Sequence, residues 1–370
     1  MQRRHFLQFA AMLAGGAMLG RSGLACTTVA KAEQAFTLYS ASNNAQGLHQ
    51  LSQWQHGKEQ HVTLPFRAHD VLTIANSAQL IAFGRRPDTQ CAKVNINTGS
   101  TQLIPAAQGR HFYGHGCLSA DQSILFTTEN DYEKARGVIG VRDLTTLQIV
   151  AEIPSFGVGP HDIHLMPDGK TLVVANGGIQ THPDFGRRKL NLDSMQPSLV
   201  YIDIASGKKQ DEYRLPDPTL SIRHLVLSEQ GDVGVATQFQ GNLYQQQPDS
   251  LVAWQAKGGD LTAIPMPNSA IRAVRGYMAD VALDTQHRTL AVTAPRGNQV
   301  TFWDTQNICI KSTLSLPQPS GIQYLEAQQQ FIISSATGDL FSVGHQSDYR
   351  QATTLFSNPA LHWDNHLIIL

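Results

Sequence analysis

A recurring leucine divides most of the chain into units of similar length. It lies near the end of six related short segments, and these leucines are Leu72, Leu118, Leu165, Leu227, Leu283 and Leu325. The intervals between them are 46, 47, 62, 56 and 42 residues. A period in the forties with four strands per unit is typical of β-propeller blades. The longer intervals predict insertions, one of which is a loop at about residues 177–198.

The segments between the leucines have the pattern of strands. Each leucine is followed by a polar turn and then by a short apolar, β-branched run, as at residues 80–84, 171–176 and 289–293. No segment has a long helical period, whereas short alternating runs bounded by turn residues predict strands. The sequence therefore predicts an all-β protein built from four-stranded antiparallel blades.

The two ends of the repeat predict how the ring closes. Residues 361–370 resemble an inner strand with no blade after it, and residues 36–40 resemble a second strand with no inner strand before it. A blade shared between the N- and C-termini would hide both strand edges. Six whole blades and one shared blade make a seven-bladed β-propeller over residues 33–370. Eight blades remain the alternative if an insertion holds another blade.

The first residues have the features of an export signal. Arg3-Arg4 is followed by Phe6-Leu7, an apolar run at 9–20 and the small-x-small sequence 30–32. The twin arginine predicts a twin-arginine signal peptide at residues 1–32, and export of the folded protein to the periplasm. Cys26 ends a lipobox-like sequence and is a candidate lipid anchor, although Gly23 departs from that pattern.

Composition excludes some partners. Charged residues are 15% of the chain and the net charge is -1, so no basic patch predicts nucleic-acid binding. The apolar run near the start is too short to span a bilayer, so no membrane span is expected in the mature chain. We expect a monomer. The sequence also has no GxSxG, HExxH or glycine-rich phosphate loop to indicate a particular reaction.

The segment 181–199, which begins Thr-His-Pro-Asp-Phe-Gly-Arg-Arg, is the most specific part of a family resemblance that extends over essentially the whole mature chain. The chain resembles a family of bacterial propellers exported by the twin-arginine route, known as domain of unknown function 1513. The resemblance implies a propeller of unestablished activity, often encoded beside imelysin-like iron-uptake proteins, and so a role near metal acquisition. It implies no catalytic residue.

The starts of the inner strands carry many charged and imidazole side chains. Inner strands of a propeller face the central channel, and ligands bind at its mouths. The candidate ligand-binding residues at the channel mouth are Arg67, His69, Arg110, His115, His161, Asp162, Arg223, His224, Arg275, Asp280 and His362. For any single one of them, a structural hydrogen bond between blades is the alternative interpretation.

Two chemistries compete for this channel. Neutral imidazoles suit a transition metal such as iron, copper or zinc, and the candidate metal ligands are His69, His115, His161 and His224. Arginines near the same strands would instead pair with a carboxylate or phosphate. Because four arginines lie so close to the histidines, the sequence favours an anion or a chelated metal.

The inserted loop is the second candidate region. It carries His182, Asp184, Arg187 and Arg188. Long loops of this kind roof a channel mouth or contact a partner, and a solvated loop held by its own ion pairs is the alternative.

Two functions follow from these observations. The first is a periplasmic ligand-binding or accessory protein of an iron-acquisition system, with a small ligand or a periplasmic protein as its partner. The second is a metal-dependent oxidoreductase or hydrolase that uses the channel histidines.

Overall fold

The computed structural model describes residues 36–370, and within them it contains seven four-stranded antiparallel sheets arranged in a ring. The predicted seven-bladed β-propeller is confirmed. The predicted signal peptide at 1–32 and the candidate anchor Cys26 lie outside the described residues. Among residues 36–370, no helix is long and apolar enough to cross a membrane.

The elements follow one another blade by blade. The strands of the shared blade are β1 (Thr37–Asn44), β2 (His49–Gln55), β3 (Lys58–Thr63) and β28 (Leu361–Ile369). The strands of the next three blades are β4 (Ala68–Thr73), β5 (Gln79–Gly84), β6 (Gln90–Asn95), β7 (Thr101–Pro105), β8 (Arg110–Leu118), β9 (Ile124–Asp131), β10 (Arg136–Asp143), β11 (Ile149–Pro154), β12 (Pro160–Leu165), β13 (Thr171–Asn176), β14 (Ser198–Asp203) and β15 (Lys208–Tyr213). Those of the last three blades are β16 (Leu220–Leu227), β17 (Val233–Phe239), β18 (Val252–Gln255), β19 (Thr262–Ala263), β20 (Val281–Asp284), β21 (Thr289–Ala294), β22 (Gln299–Asp304), β23 (Cys309–Ser315), β24 (Pro319–Leu325), β25 (Gln330–Ser335), β26 (Asp339–Gly344) and β27 (Thr353–Ser357).

Among residues 36–370, helical structure is confined to segments of three to six residues. The helix α1 spans Asn268–Ala273, and the 3₁₀ turns span Pro183–Phe185, Leu192–Ser194, Pro295–Gly297, Glu326–Gln328 and His345–Ser347. The first two of these turns lie in the inserted loop, which connects β13 to β14.

The ring closes through the shared blade. The inner strands β28, β4, β8, β12, β16, β20 and β24 contact one another in a closed circle. In the shared blade β28 pairs with β1, in a register that places Leu38 opposite Ile369 and Ser42 opposite Trp363. The insertions hold no eighth blade within residues 36–370, so the eight-bladed alternative is excluded.

Burial changes from the middle to the outer edge of the blade that contains β12 to β15. Every residue of β13 is buried, because its sheet is covered by neighbouring blades on both faces. The outer strand β15 is mostly exposed and carries Lys208, Lys209, Asp211 and Glu212. Charged outer strands protect a sheet edge against pairing with other chains.

Bulges in the inner strands position the channel side chains. Ala68 of β4 pairs with Gly84 of β5, and Asp70 pairs with the adjacent Phe83, so His69 is an extra residue without a partner in the register. The same shift leaves out His161 in β12 and Arg223 in β16. A bulge bends its strand and re-aims the extra side chain, so these side chains leave the regular alternation of the sheet.

Candidate functional site

Five histidine side chains meet at the centre of the ring, and we call them the histidine cluster. Each comes from a different inner strand; they are His69, His115, His161, His224 and His366, and each residue is at most 5% exposed. One nitrogen from each of the first four lies within 4.8 Å of the others. The ring of His366 packs against those of His69, His115 and His224, at centroid distances of 4.7, 4.8 and 4.5 Å.

Several nitrogens of the histidine cluster have no hydrogen-bond partner among residues 36–370. They are Nδ1 of His69, Nε2 of His115, Nδ1 of His224 and Nε2 of His366. Buried polar atoms are rarely left unpaired, because each such atom costs about 1–3 kcal/mol. The cluster therefore has the capacity to bind a water, an anion or a metal at its centre.

Burial keeps most of these imidazoles neutral. It lowers the pKa values of His69, His161 and His224 well below the ordinary value, and nearby positive groups add to the effect. His366 is the exception: burial opposes its charged form, but the Asp280 carboxylate, 3.0 Å from its Nδ1, outweighs burial and raises the pKa of His366 to about 9. The neutral rings are those with a lone pair available for a ligand.

One inner-strand carboxylate hydrogen-bonds a histidine of the cluster, and another lies just beyond hydrogen-bond distance of a second histidine. Asp70 Oδ2 lies 3.2 Å from Nδ1 of His115, and Asp364 Oδ1 lies 3.6 Å from Nδ1 of His69. A carboxylate can only accept, so a neutral His115 donates from Nδ1 and has its lone pair on Nε2. That lone pair belongs to the unpartnered nitrogen of His115 described above.

Gly114 leaves space for one of the imidazoles. Its φ is +112°, and a Cβ at this position would lie 2.6 Å from Cδ2 of His69. A larger residue would be strained in this backbone conformation and would displace His69. Gly114 therefore makes room for His69, and the next residue, His115, is itself a member of the cluster.

The channel opens from the histidine cluster into a cavity of about 440 Å³, which we call the mouth pocket. Its lining residues are His69, Arg85, Arg86, Tyr113, His161, Arg187, Lys189, Arg223, Gln238, Tyr277, Arg296 and Asn365. Because His69 and His161 belong to both sets, the mouth pocket leads directly to the cluster.

Half of the residues that line the mouth pocket are arginine or lysine, and none is acidic. The charge of Arg85 is partly offset by Asp364, whose Oδ1 lies 3.7 Å away. Within residues 36–370, no carboxylate oxygen lies within 4.0 Å of the other five cations. The pocket therefore concentrates positive charge that the described chain does not neutralise.

The partners of these cations are neutral groups. Arg223 donates to Oε1 of Gln238 at 2.7 Å, and Lys189 donates to the side-chain oxygen of Gln240. Arg86 and Arg296 lie over the rings of Tyr113 and Tyr277, at 5.6 and 4.6 Å from the ring centroids. Such contacts hold the side chains in place without cancelling their charge.

Burial and the crowding of like charges lower the pKa values of these groups. Burial and then Arg86 lower the pKa of Arg223 to about 9, and burial and then Arg223 lower that of Lys189 to about 8. Burial and then Arg85 lower the pKa of Arg187 to about 10. All three groups are still mainly protonated at pH 7, so an anion in the pocket would relieve their repulsion.

Some of the arginines and histidines predicted at the channel mouth lie outside the mouth pocket. Nε of Arg67 lies 2.7 Å from Oδ2 of Asp364, and Nη1 of Arg110 lies 2.8 Å from Oδ2 of Asp131. Arg275 is exposed and does not line the pocket. His362 is also exposed, and its Nδ1 lies 2.9 Å from the carbonyl oxygen of Ala336.

The two predicted aspartates connect neighbouring blades. Oδ2 of Asp162 accepts a hydrogen bond from the backbone N–H of Leu225 at 2.9 Å. Oδ2 of Asp280 accepts one from the N–H of Ile322 at 2.8 Å. Each carboxylate also lies beside a histidine of the cluster, so both aspartates join the ring and border the site.

The inserted loop contributes to the mouth pocket through only part of its predicted residues. Arg187 and Arg188 are both exposed residues, but only Arg187 lines the pocket. His182 packs against the ring of Tyr132 and accepts a hydrogen bond from the N–H of Asp184, whose own side chain is 81% exposed. The loop thus roofs one side of the pocket.

Sequence reasoning missed His366 and much of the pocket lining. His366 lies on β28, the same strand as His362. Sequence reasoning predicted His362 instead, because it assumed that only the start of an inner strand faces the site. Arg85, Arg86, Arg296 and Gln238 were also missed. They lie at or just after the ends of second strands, which run antiparallel to the inner strands and so end at the same mouth.

Comparison with known proteins identifies a family and a fold. The family model described as "Protein of unknown function (DUF1513)" matches residues 62–370. No curated protein matches the chain. Among solved structures, Kuenenia stuttgartiensis hydrazine synthase is similar, with a TM-score of 0.60 at 15% identity, over 86% of this chain and 95% of that one. At that identity the similarity shows the propeller fold alone.

Proposed function

Because the chain belongs to the DUF1513 family, whose description assigns no function, we propose from the site itself that the protein binds a small anionic ligand in the mouth pocket. The observation that supports this is the set of five cationic side chains without a carboxylate partner among the described residues. Arginines pair with carboxylates and phosphates by two parallel hydrogen bonds. The cavity of about 440 Å³ is large enough for a small molecule with several negative groups.

The location and role are part of the same proposal. The twin arginine at Arg3-Arg4 supports a periplasmic location for this binding, and the family resemblance supports a role near iron acquisition. The protein would then act as a ligand-binding or accessory protein. Both an anionic small molecule and a chelated metal have the negative groups that the mouth pocket requires.

Calorimetric titration with citrate and with phosphate tests the proposal and distinguishes a polycarboxylate from a phosphate ligand. Replacing Arg187 or Arg223 with Gln should weaken binding about ten- to hundredfold, since a hydrogen bond to a charged group contributes about 1.5–3 kcal/mol. Arg188→Gln is the matched control, because it removes the same charge from the neighbouring position outside the pocket. The affinity of Arg188→Gln should stay within about twofold of wild type, because Arg188 does not line the pocket and a charge away from the ligand contributes little.

Two results would contradict the proposal. One is that neither citrate nor phosphate binds. The other is that Arg187→Gln and Arg188→Gln weaken binding equally, since the effect would then come from overall charge and not from the pocket.

A metal-dependent oxidoreductase or hydrolase is the second candidate function. It is favoured by the four buried histidines whose nitrogens lie within 4.8 Å of one another. Chemical conversion of the pocket anion by metal-loaded protein, and not by metal-free protein, would support it. Recovery of the unchanged anion from the loaded protein would favour binding alone.

A further inference from the structure

We propose that His69, His115, His161 and His224 bind one divalent transition-metal ion, and that an oxyanion held in the mouth pocket completes its coordination. The anionic half of this statement rests on the proposed function. The metal half rests on the histidine cluster alone. The two parts of the channel would then form a single site for a metal and its anion.

The donor set selects the type of metal. It consists of imidazole nitrogens from four different strands, without a thiolate. Imidazole is a good ligand for zinc, copper, iron and nickel, whereas calcium and magnesium prefer oxygen. All four rings are buried, and none of these residues is more than 4% exposed. The cluster therefore matches a borderline transition metal.

The distances permit a single ion. Zinc–imidazole bonds are about 2.0–2.1 Å, so nitrogens on opposite sides of one ion are at most about 4.2 Å apart, and those of a tetrahedral site about 3.4 Å. The four nitrogens here are at most 4.8 Å from one another. Binding of one ion would therefore have to draw the most distant pair together by at most about 0.6 Å.

The surroundings hold the imidazoles in this arrangement. Asp70 lies 3.2 Å from Nδ1 of His115, which leaves the unpartnered Nε2 of that ring free to bind. Ligating histidines in proteins usually donate their second nitrogen to a carboxylate or carbonyl in this way. The unpartnered Nδ1 atoms of His69 and His224 are a second, independent observation that indicates a ligand-binding site.

The mouth pocket provides both the open side of the metal site and the reason for an anion. His69 and His161 line the pocket, so a ligand in the pocket reaches the cluster directly. A divalent cation beside Arg223 and Lys189 would be repelled by them. An oxyanion between the metal and these side chains removes that repulsion, so each partner should strengthen the binding of the other. By thermodynamic reciprocity the two effects are equal, and we expect about tenfold.

Cobalt(II) titration of the metal-free full chain tests the metal half, because the visible spectrum of cobalt reports its coordination. Wild type should bind one equivalent. His224→Ala should bind about a hundredfold more weakly or not at all. The matched control His362→Ala removes an exposed imidazole outside the cluster and should behave as wild type. If circular dichroism shows that His224→Ala does not fold, His161→Gln replaces it, since that side chain borders the pocket.

Titration of the cobalt-loaded protein with phosphate or succinate, which chelate free metal weakly, tests the link between metal and anion. The spectrum should change on anion binding, and the anion should bind about tenfold more tightly than to metal-free protein. Arg223→Gln should keep its cobalt and lose most of the anion effect.

The possible failures identify which part is wrong. If wild type binds no cobalt, or His224→Ala and His161→Gln bind it as wild type does, the metal site is wrong. If the anion binds equally with and without cobalt and leaves the spectrum unchanged, the combined site is wrong and the proposed function stands. If no anion binds in either state, the proposed function fails even where the metal site is supported.

Discussion

His111 shows how a single buried imidazole affects stability without belonging to the histidine cluster. It is fully buried; its Nδ1 lies 2.9 Å from the carbonyl oxygen of Phe112, and its Nε2 lies 3.1 Å from both Asn130 Nδ2 and Thr181 Oγ1. Burial lowers the pKa of His111 to about 4. Between pH 6.5 and pH 4 the unfolded chain therefore binds a proton that the folded chain does not.

We expect this histidine to make the fold less stable in acid. Stability should fall as pH decreases from 6.5 to 4, by up to about 3 kcal/mol from His111, because one pKa unit corresponds to about 1.4 kcal/mol. Urea unfolding at several pH values measures the free energy of unfolding and its dependence on pH. His111→Gln should lower stability at pH 7 and should also reduce the pH slope. His56→Gln, at an exposed position, should keep the wild-type slope. An unchanged slope in His111→Gln would contradict the assignment.

At the level of residues, the sequence identified four members of the histidine cluster and Arg223, because they stand three or four residues before the recurring leucine of successive inner strands. It could not identify His366. Ser40 of β1 pairs with Leu367 of β28, and Ser42 pairs with Trp363. A step of two residues in β1 therefore faces a step of four in β28, so β28 bulges just before Leu367. Such a shift depends on packing between blades, and the strand pattern alone does not contain it.

The strands are tied to one another by carboxylates as well as by the sheet ladders. Asp280 lies at the start of an inner strand and accepts the N–H of Ile322 in the next blade at 2.8 Å. Asp280→Ala should leave that buried N–H without a partner and lower the free energy of unfolding by about 1–3 kcal/mol. Asp280→Asn keeps an acceptor oxygen and should recover part of the loss. Asp260→Ala, at an exposed position, should change stability by less than about 0.5 kcal/mol in the same urea experiment. Equal stability of Asp280→Ala and Asp260→Ala would exclude the inter-blade role.

The secondary-structure elements that line the mouth pocket explain why it was only partly predicted. The periodic leucines define the strands and their order, since each blade repeats one pattern. The pocket, however, also draws on the ends of second strands, at Arg85 and Gln238, and on the inserted loop, at Arg187 and Lys189. The antiparallel order places strand ends and inner-strand starts at the same mouth, so this signal was available from the predicted fold. The path of the inserted loop could not be predicted, because that segment does not recur in the other blades.

For the whole molecule, the ring brings together residues that are distant in sequence. The four candidate metal ligands come from four consecutive blades, and His366 comes from the shared blade. The site is therefore complete only when the ring is closed. Closure in turn depends on β28, whose Trp363 and Leu367 pack in one hydrophobic cluster with Leu38 of β1.

Removal of β28 should therefore open the ring. A chain that ends at residue 359 would expose the edge of β1 and the faces of β24 and β4 that β28 covers, and we expect it to aggregate or to lose cooperative unfolding. Leu370→Ala is the control, because that side chain is 64% exposed and the backbone bonds of residue 370 to Thr37 remain. A synthetic peptide of residues 360–370 should restore cooperative unfolding to the truncated protein by adding the missing strand, as peptides do at other open sheet edges. Cooperative unfolding of the truncated chain at the wild-type urea concentration, without the peptide, would show that β28 does not close the ring.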